Sequence, residues 1–257
     1  MTQCLFPSDR LRAAPLFVGL ALALGLDGAA LRAEASSPAV PRSGSADVPN
    51  SPHVPTVVVA NCNDSGSGSL RAAVLVANSG DTVDLTQLAC SSITLTSGEI
   101  DIIQDNLFIT GPGAAALTIN GGTNPAYYNR VFRHLGAGQL AIENLTIAHG
   151  SVVINDTAKG GCLFSNGNLL ISESAVESCI ASASGPGDSK GGAVFAAGNV
   201  HLFQSSVTGS VAISAQHQAD GGGIYSGSLT SKYSTIADNT ADGGTYYGTG
   251  GGFYWGR

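Results

Sequence analysis

A glycine pair recurs along the second half of the chain at an interval of about thirty residues. It opens three similar segments, "KGGCLFSNGNLLISESAV", "KGGAVFAAGNVHLFQSSV" and "DGGGIYSGSLTSKYSTI". With a fourth pair, the glycine pairs start at intervals of 31, 30 and 29 residues, at Gly160, Gly191, Gly221 and Gly250. Self-similarity at this period indicates a solenoid, in which each repeat packs only against its neighbours.

A second set of columns has the same drifting period. Aliphatic residues recur at intervals of 29, 31 and 29 residues, and a small polar residue shortly precedes each of them. The aliphatic column contains Ile147, Val176, Val207 and Ile236. The polar column contains Asn144, Ser174, Ser205 and Ser234. We interpret the hydroxyl column as an inward, hydrogen-bonded stack.

The segments between the glycine pairs predict strands and turns. Short β-branched runs alternate with Gly, Asn, Asp and Pro, and no helical periodicity occurs within a repeat. We therefore predict an all-β fold, a right-handed parallel β-helix with about 30 residues per repeat. The alternative is a propeller, but its blades of about 40 to 45 residues are longer. The segments "SASGPGDS" and "SAQHQAD" look like insertions at turns.

One helix is expected before the repeats. Ser69 is a suitable N-cap for a helix from Leu70 to about Asn78, with Leu70, Ala73, Val74 and Ala77 on one face. We assign residues 56–257 to the β-helix domain, with an N-terminal cap at about 56–90 and coils at about 91–257. Because the chain ends inside a fourth repeat, we expect the coils to be truncated there.

The N-terminus has the pattern of an export signal. Arg10 and Arg12 precede the apolar run "AAPLFVGLALALGL", and "AEA" follows at residues 33–35. This order predicts a signal peptide over residues 1–35. The Pro- and Ser-rich residues 36–55 predict a disordered linker. No later segment approaches the roughly 20 apolar residues of a transmembrane helix, so none is expected in the mature chain.

Four cysteines remain after removal of the predicted signal peptide. An even number in an exported protein indicates disulfides, and the candidates are Cys62, Cys90, Cys162 and Cys179. Proximity favours Cys62–Cys90 and Cys162–Cys179, although three connectivities are possible. The cysteines lack the close CxxC spacing of many metal sites and the histidines are scattered, so we predict no metal site and no cofactor.

The opening of the domain resembles a known group of proteins. The segments "NCNDSGSGSLRAAVLVANSGDTVDL", "ITLTSGEI" and "LFITGPGAAALTING", with the glycine-pair repeats, are similar to bacterial β-helix proteins of the pectin-lyase-like superfamily. More narrowly, they resemble secreted or surface-exposed members with polymorphic-outer-membrane-protein-like repeats. The resemblance covers about residues 57–257. It implies that the helix at Ser69–Asn78 closes the N-terminal end of the solenoid.

The resemblance also requires a search for polysaccharide lyase or glycoside hydrolase chemistry. Such enzymes need carboxylates that converge on Ca²⁺ or on a glycosidic oxygen, and lyases also need a nearby base. Asp188 and Asp220 lie shortly before glycine pairs, which would stack them on one edge about one coil apart as a cation or sugar site, but turn chemistry before glycine is the favoured interpretation. Lys159 and Lys190 form a second stacked pair. We interpret these charges as solvated edge residues.

The remaining candidates are weak. Glu173 and Gln204 share a column and are expected to face outward from a strand. His201 and His217 have no carboxylate partner in any evident register. A group of aromatic residues near the C-terminus suits either sugar stacking or packing, and it contains Tyr246, Tyr247, Tyr254 and Trp255. We therefore assign no catalytic, cofactor-binding or metal-binding residue.

These observations favour an exported, non-catalytic β-helix scaffold at the surface or outer membrane of a bacterium, or secreted from it. Its expected partner is a polysaccharide or a host or cell-surface ligand. The formal net charge of −7 argues against nucleic acid, because there is no basic patch to neutralise phosphates. The alternatives are a polysaccharide lyase or glycoside hydrolase, and a truncated gene product without an independent function.

Overall fold

The computed structural model describes residues 55–122 and 130–256. They form an all-β parallel solenoid of about 7 turns, with roughly 29 residues per turn. This confirms the predicted parallel β-helix and rules out the propeller, whose blades are built from antiparallel strands. The predicted signal peptide and residues 36–54 of the predicted linker lie outside the described residues.

The described strands stack into five parallel ladders that run along the solenoid. Ladder 1 contains Ile100–Ile102, Phe132–His134, Leu163–Ser165, Val194–Phe203, Ile224–Lys232 and Phe253–Trp255. Ladder 2 contains Thr56–Val58, Thr82–Asp84, Leu107–Thr110, Gln139–Glu143, Asn168–Ser172 and the second halves of Val194–Phe203 and Ile224–Lys232. Ladder 3 contains Ser92–Thr94, Thr118–Asn120, Thr146–Ala148, Ala175–Glu177, Ser206–Thr208 and Thr235–Ala237. Ladder 4 contains Ser151–Ile154, Ile180–Ala183, Val211–Ser214 and Thr240–Asp242. Ladder 5 contains Ala158–Lys159, Ser189–Lys190, Ala219–Asp220 and Gly248–Thr249.

The core is made of inward rows in which the same position of successive coils stacks. Because parallel neighbours are in register, each inward side chain contacts its equivalents in the coils before and after it. The predicted aliphatic column forms such a row on ladder 3, with Ile93, Ile119, Ile147, Val176, Val207 and Ile236 in register. All but the last are fully buried, and each such side chain contributes about 1.5–3 kcal/mol.

Each glycine pair forms the corner between ladders 5 and 1. The first glycine of every pair has a positive φ, between 58° and 70°, which side chains with a Cβ rarely adopt. The second glycine lies against the next coil. A Cβ on Gly192 would lie 2.1 Å from the carbonyl oxygen of Gly222, and one on Gly161 would lie 2.4 Å from that of Gly192. The pair therefore combines a turn with a close approach of two backbones.

Two corners of the coil differ in how much length variation they contain. The corner between ladders 5 and 1 always has three residues, at 160–162, 191–193, 221–223 and 250–252. The corner between ladders 4 and 5 has three, five, four and five residues, at 155–157, 184–188, 215–218 and 243–247. The predicted insertions "SASGPGDS" and "SAQHQAD" fall at this second corner, which explains part of the drift in the repeat period.

The predicted hydroxyl column is present, with one correction. The backbone N–H of Ser174 donates to Ser205 Oγ at 3.2 Å, and that of Ser205 donates to Ser234 Oγ at 3.1 Å. The neighbouring coil contributes Leu145 at this position, and its N–H donates to Ser174 Oγ at 3.3 Å. Asn144, which we expected in the column, lies one residue earlier, at the corner between ladders 2 and 3.

In four successive coils that corner forms a row of residues with a positive φ. The row contains Asn144, Glu173, Gln204 and Tyr233, with φ of 57°, 48°, 47° and 54°. Glu173 and Gln204 do share a column, as predicted. They are corner residues, however, and the expectation that they face outward from a strand was wrong.

The helix covers the N-terminal coils. It spans Leu70–Val76, and Ser69 Oγ accepts a hydrogen bond from the N–H of Ala72 at 3.2 Å, which confirms the predicted N-cap. The predicted apolar face is buried against the first strands of ladders 1 and 2. The helix ends before Asn78 because Ala77 is already extended, and Gln104 donates to the carbonyl oxygens of Val74 and Ala77.

Both disulfides that sequence proximity favours are present. Cys62–Cys90 packs against the core near its N-terminal end, and Cys162–Cys179 joins two positions of a single coil through the core. Cys162 and Cys179 are fully buried, whereas Cys62 and Cys90 are only partly buried. Disulfides of this kind fit an extracellular protein. Among the described residues, no helix is both long enough and apolar enough to cross a membrane.

The carboxylate of Asp64 connects the segment before the helix to residues 96–97 of the next coil by hydrogen bonds. Asp64 accepts hydrogen bonds from Arg71 Nη2 at 2.7 Å, from the N–H of Ser97 at 2.8 Å and from the N–H and hydroxyl of Thr96, both at 3.0 Å. Burial alone would raise the pKa of Asp64, but these hydrogen bonds and the charge of Arg71 outweigh it and lower the pKa to about 2.

We predict that Asp64→Asn lowers the free energy of unfolding at neutral pH by about 1–2 kcal/mol, a figure reduced to allow for solvent screening. The folded pKa lies below the unfolded value of about 3.9, so the stabilisation is present above pH 4 and is lost between about pH 4 and pH 2. Urea unfolding at pH 6 and pH 3 should show the gap between wild type and variant narrowing at pH 3. A constant gap would contradict this origin of the stability.

We predict that the double change Cys162→Ala with Cys179→Ala lowers the free energy of unfolding by about 3 kcal/mol, because this disulfide closes a loop of 17 residues. Under native conditions a thiol reductant should open the partly buried Cys62–Cys90 first, because Cys162–Cys179 is inaccessible until the coil opens. Mass spectrometry after alkylation measures the order of reduction. Equal rates for the two disulfides would be the contrary result.

Candidate functional site

The outer face of ladder 1 carries the most distinctive side chains of the described residues. After each glycine pair an apolar residue points inward, namely Leu163, Val194, Ile224 or Phe253, so the aromatic residue that follows it points outward. The outward residues of successive coils form one row, which we call the ladder-1 strip. The strip contains Asp101, Arg133, Phe164, Phe195, Tyr225 and Tyr254.

The four aromatic rings of the strip stack on one another. Their centroids are 5.3, 5.4 and 5.6 Å apart in order along the strip, and their planes differ by 7°, 10° and 23°. Because the rings are nearly parallel, each inner ring has its faces against its neighbours and turns its edge to solvent. Phe195, in the middle, is buried. The inner rings of this stack therefore stabilise the coils and leave little ring face for a ligand.

Three cations lie against these rings: Lys159 and Lys190 end two strands of ladder 5, and Arg130 lies two residues before the strand Phe132–His134. Arg130 Cζ is 5.4 Å from the centroid of Phe164, Lys159 Nζ is 4.9 Å from that of Phe195, and Lys190 Nζ is 5.5 Å from that of Tyr225. These distances suit cation–π attraction. The predicted stack of Lys159 on Lys190 is confirmed by their register, and each lysine reaches toward an aromatic ring.

The N-terminal end of the strip is an ion-pair network. Arg133 donates to Asp101 through Nε and Nη2, both at 2.7 Å, and its Nε is 3.1 Å from Glu99. Arg130 donates to Glu99 and also to the carbonyl oxygens of Gly160 and Lys159, at 2.8 and 2.9 Å. Burial lowers the pKa of Arg130 while Glu99 opposes the shift, and the bond to Asp101 raises the pKa of Arg133.

A surface groove of about 290 Å³ lies beside this network. Its apolar lining comes from Leu135, Ile154 and Phe164, and its polar lining from Arg130, Arg133, Thr157, Lys159 and Asn166. The groove offers amide, hydroxyl and cationic donors around an apolar floor. This composition suits a polar ligand that also presents an apolar face, such as a sugar.

The acidic candidates from the sequence are brought to this region but do not converge. Lys190 pairs in register with Asp220, so Asp188 lies two residues before that position and the two aspartates do not stack. Asp188 instead lies 3.2 Å from Lys190 Nζ, and Asp220 is hydrogen-bonded to Thr249. The prediction of stacked aspartates was wrong because Asp188 lies three residues before its glycine pair, whereas Asp220 lies one residue before its own.

The histidine candidates have different surroundings. His201 is exposed on the outer face of ladder 2. His217 Nδ1 lies 3.9 Å from Asp188, and its ring stacks on Tyr246 with centroids 5.7 Å apart. The expectation that His217 lacks a carboxylate partner was therefore wrong. Both residues of this pair lie in the variable corner between ladders 4 and 5, where the sequence provides no register.

The C-terminal aromatic residues do not form one surface. Tyr254 belongs to the strip, Tyr246 packs on His217, and Tyr247 is exposed in the corner between ladders 4 and 5. Trp255 lies next to Tyr254 on the last described strand, in the row whose earlier members point inward. The cluster seen in the sequence is thus divided among different faces of the solenoid.

A buried His–Ser pair escaped the sequence analysis. His134 Nδ1 lies 2.7 Å from Ser165 Oγ, and His134 Nε2 lies 2.9 Å from the carbonyl oxygen of Gln104. Burial lowers the pKa of His134, which favours the neutral ring with Nε2 as the donor. Both side chains are fully buried, so the pair is closed to substrates and serves to join neighbouring coils.

The charges around the strip balance one another. Four carboxylates face four cations, namely Glu99, Asp101, Asp188 and Asp220 with Arg130, Arg133, Lys159 and Lys190. Among the described residues, no group of three or more His, Cys, Asp or Glu side chains could hold a metal ion. The arrangement can hold a polar ligand by hydrogen bonds, but it presents no pair of unengaged acids.

Comparisons with protein-family profiles, with curated proteins and with solved structures found no significant match.

We predict that Glu99→Gln costs about 2–4 kcal/mol of folding stability, because Arg130 is only 9% exposed and loses its carboxylate. The matched variant Asp101→Asn should cost less than about 1 kcal/mol, because its partner Arg133 is 38% exposed. Urea unfolding of both variants measures the difference. An equal loss of folding stability in the two variants would contradict the prediction that burial makes the Glu99 ion pair the more important one.

Proposed function

We propose that this chain is a non-catalytic β-helix scaffold that presents the ladder-1 strip and its groove to a polysaccharide or another glycan-bearing surface. In this proposal it acts as part of an exported bacterial protein, secreted or exposed at the cell surface. The resemblance to secreted members of the pectin-lyase-like superfamily motivates the setting. The two disulfides fit an extracellular location.

The observation that carries the proposal is the pairing of the acids around the strip. A polysaccharide lyase or a glycoside hydrolase works with carboxylates that are close together and open to a cation or a substrate oxygen. Here Glu99 and Asp101 are held by two arginines, and Asp188 is held by Lys190. Glu99 and Asp101 join neighbouring coils through these arginines, and Asp188 is engaged by Lys190 within its own coil, which favours a scaffold.

Glycan contact is supported by the shape and chemistry of the same surface. The strip runs across six described strands of ladder 1, and the solenoid that carries it is continuous from coil to coil. Arg133 uses Nε and Nη2 for Asp101, so its Nη1 remains as a donor at the groove. A rigid, extended surface with a few polar groups can bind a long polymer without an ordering cost of its own.

We predict that the chain, expressed with its disulfides formed, binds glycans on a panel of immobilised polysaccharides and releases no product from them. Incubation with polyuronides, with and without Ca²⁺, should give no unsaturated product in ultraviolet absorbance and no new reducing ends. Product formation would overturn the non-catalytic function and favour the lyase or hydrolase. Absence of binding to every glycan would overturn the glycan contact.

A further inference from the structure

Two exposed aromatic side chains lie on a different face from the ladder-1 strip. Tyr233 is 85% exposed at the corner between ladders 2 and 3, and Phe203 is 37% exposed on the outer face of ladder 2. Their ring centroids are 6.0 Å apart and their planes are nearly perpendicular, at 83°. In this arrangement the edge of one ring meets the other, so at least one face of each ring stays uncovered by its partner.

The backbone at Tyr233 is unfavourable for a tyrosine. Its φ is +54°, in the left-handed region that asparagine and glycine adopt most readily. The same corner position is occupied by Asn144 in an earlier coil. A tyrosine in this backbone conformation is therefore less stable than an asparagine or a glycine would be, and its ring is almost entirely in solvent. Apart from its edge contact with Phe203, packing does not explain its presence.

The side chains around the pair are polar and can form hydrogen bonds. His201 lies two residues before Phe203 on the same face, about 6.8 Å along the strand. Gln204 lies one coil from Tyr233 in the corner row, and Lys232 lies one coil from Phe203. Thr230 continues the row of His201. All four side chains are exposed.

We propose that Phe203 and Tyr233, with His201, Gln204 and Lys232, form a binding platform for a neutral hexopyranose unit of a glycan. The aromatic faces pack against the C–H face of the sugar, and the flanking side chains bond its hydroxyls. This inference rests on the proposed glycan contact and assigns it a second contact point, on ladder 2. It differs from the ladder-1 strip, whose inner rings cover one another.

The surroundings select a sugar over a protein surface and over an acidic polymer. A stable protein interface needs about 800 Å² on each partner with an apolar centre, and here two rings stand alone among polar groups. Glu173 lies one coil before Gln204 in the corner row, and Lys232 lies one coil after Phe203, so the surface on either side of the rings carries one acid and one base. The local charge is balanced, which favours a neutral ligand over a uronide.

The test uses the full chain and isothermal calorimetry with cellohexaose, mannohexaose and hexagalacturonate as probes. Wild type should bind a neutral hexasaccharide. Tyr233→Asn should weaken that binding roughly fivefold to tenfold, the range expected for loss of one aromatic contact. Its unfolding midpoint should stay unchanged or rise, because asparagine suits the left-handed corner. Phe203→Ser, which repeats the serine found at this row position in Ser172, should also weaken binding.

The matched control is Tyr247→Asn, which removes an exposed tyrosine from the corner between ladders 4 and 5 and should leave binding unchanged. Unaltered binding by Tyr233→Asn and Phe203→Ser would overturn the platform while the glycan contact stands. Binding of hexagalacturonate alone would overturn the neutral-sugar assignment. If Tyr233→Asn abolishes self-association and leaves sugar binding unchanged, the platform is overturned and the surface is a contact with a second copy of the chain. A wild type that binds no probe and no immobilised glycan would overturn both proposals.

Discussion

Each coil of this chain can bury its aliphatic side chains only against the coil before it and the coil after it. This requirement fixes the backbone at the corners, because strands stay in register only if every coil turns at equivalent places. The first glycine of each pair and the row containing Asn144 and Tyr233 adopt positive φ for that reason. The second glycine lets neighbouring backbones approach, and the inward aliphatic and hydroxyl rows follow from the same register.

The same register also aligns the outward side chains of successive coils, with different results on ladders 1 and 2. On ladder 1 the spacing of coils brings Phe164, Phe195 and Tyr225 into a face-to-face stack, and it places arginines and lysines where they meet acids and rings. That surface is held together by its own contacts. At the end of ladder 2 the rings of Phe203 and Tyr233 are perpendicular and open. Exposure of aromatic faces, more than the number of aromatic residues, distinguishes rings that can stack on a ligand from rings that only pack. On ladder 1 the groove beside the stack, rather than the stack itself, is therefore the part that can take a ligand.

The sequence predicts those features that depend on the repeat alone. The parallel β-helix, the inward column of Ile147 and Val176, and the capping of the helix by Ser69 all follow from periodicity and local preference. Errors occur where an offset of one or two residues matters. Asn144 was placed in the row that Leu145 occupies, and Asp188 was aligned with Asp220 although it lies two residues before that position. The stacked rings were also missed, although strand alternation places the residue after each inward aliphatic position on the outside.

The unequal corner between ladders 4 and 5 has a practical meaning for engineering. It already contains from three to five residues in successive coils, while the glycine-pair corner keeps three in every coil. The length of the corner between ladders 4 and 5 can therefore change without shifting the register of the core strands. Foreign peptides inserted near residues 184–188 or 215–218 would be displayed at regular steps along a rigid rod. Epitopes or enzymes inserted at this corner would therefore be separated by a distance set by the number of coils between them.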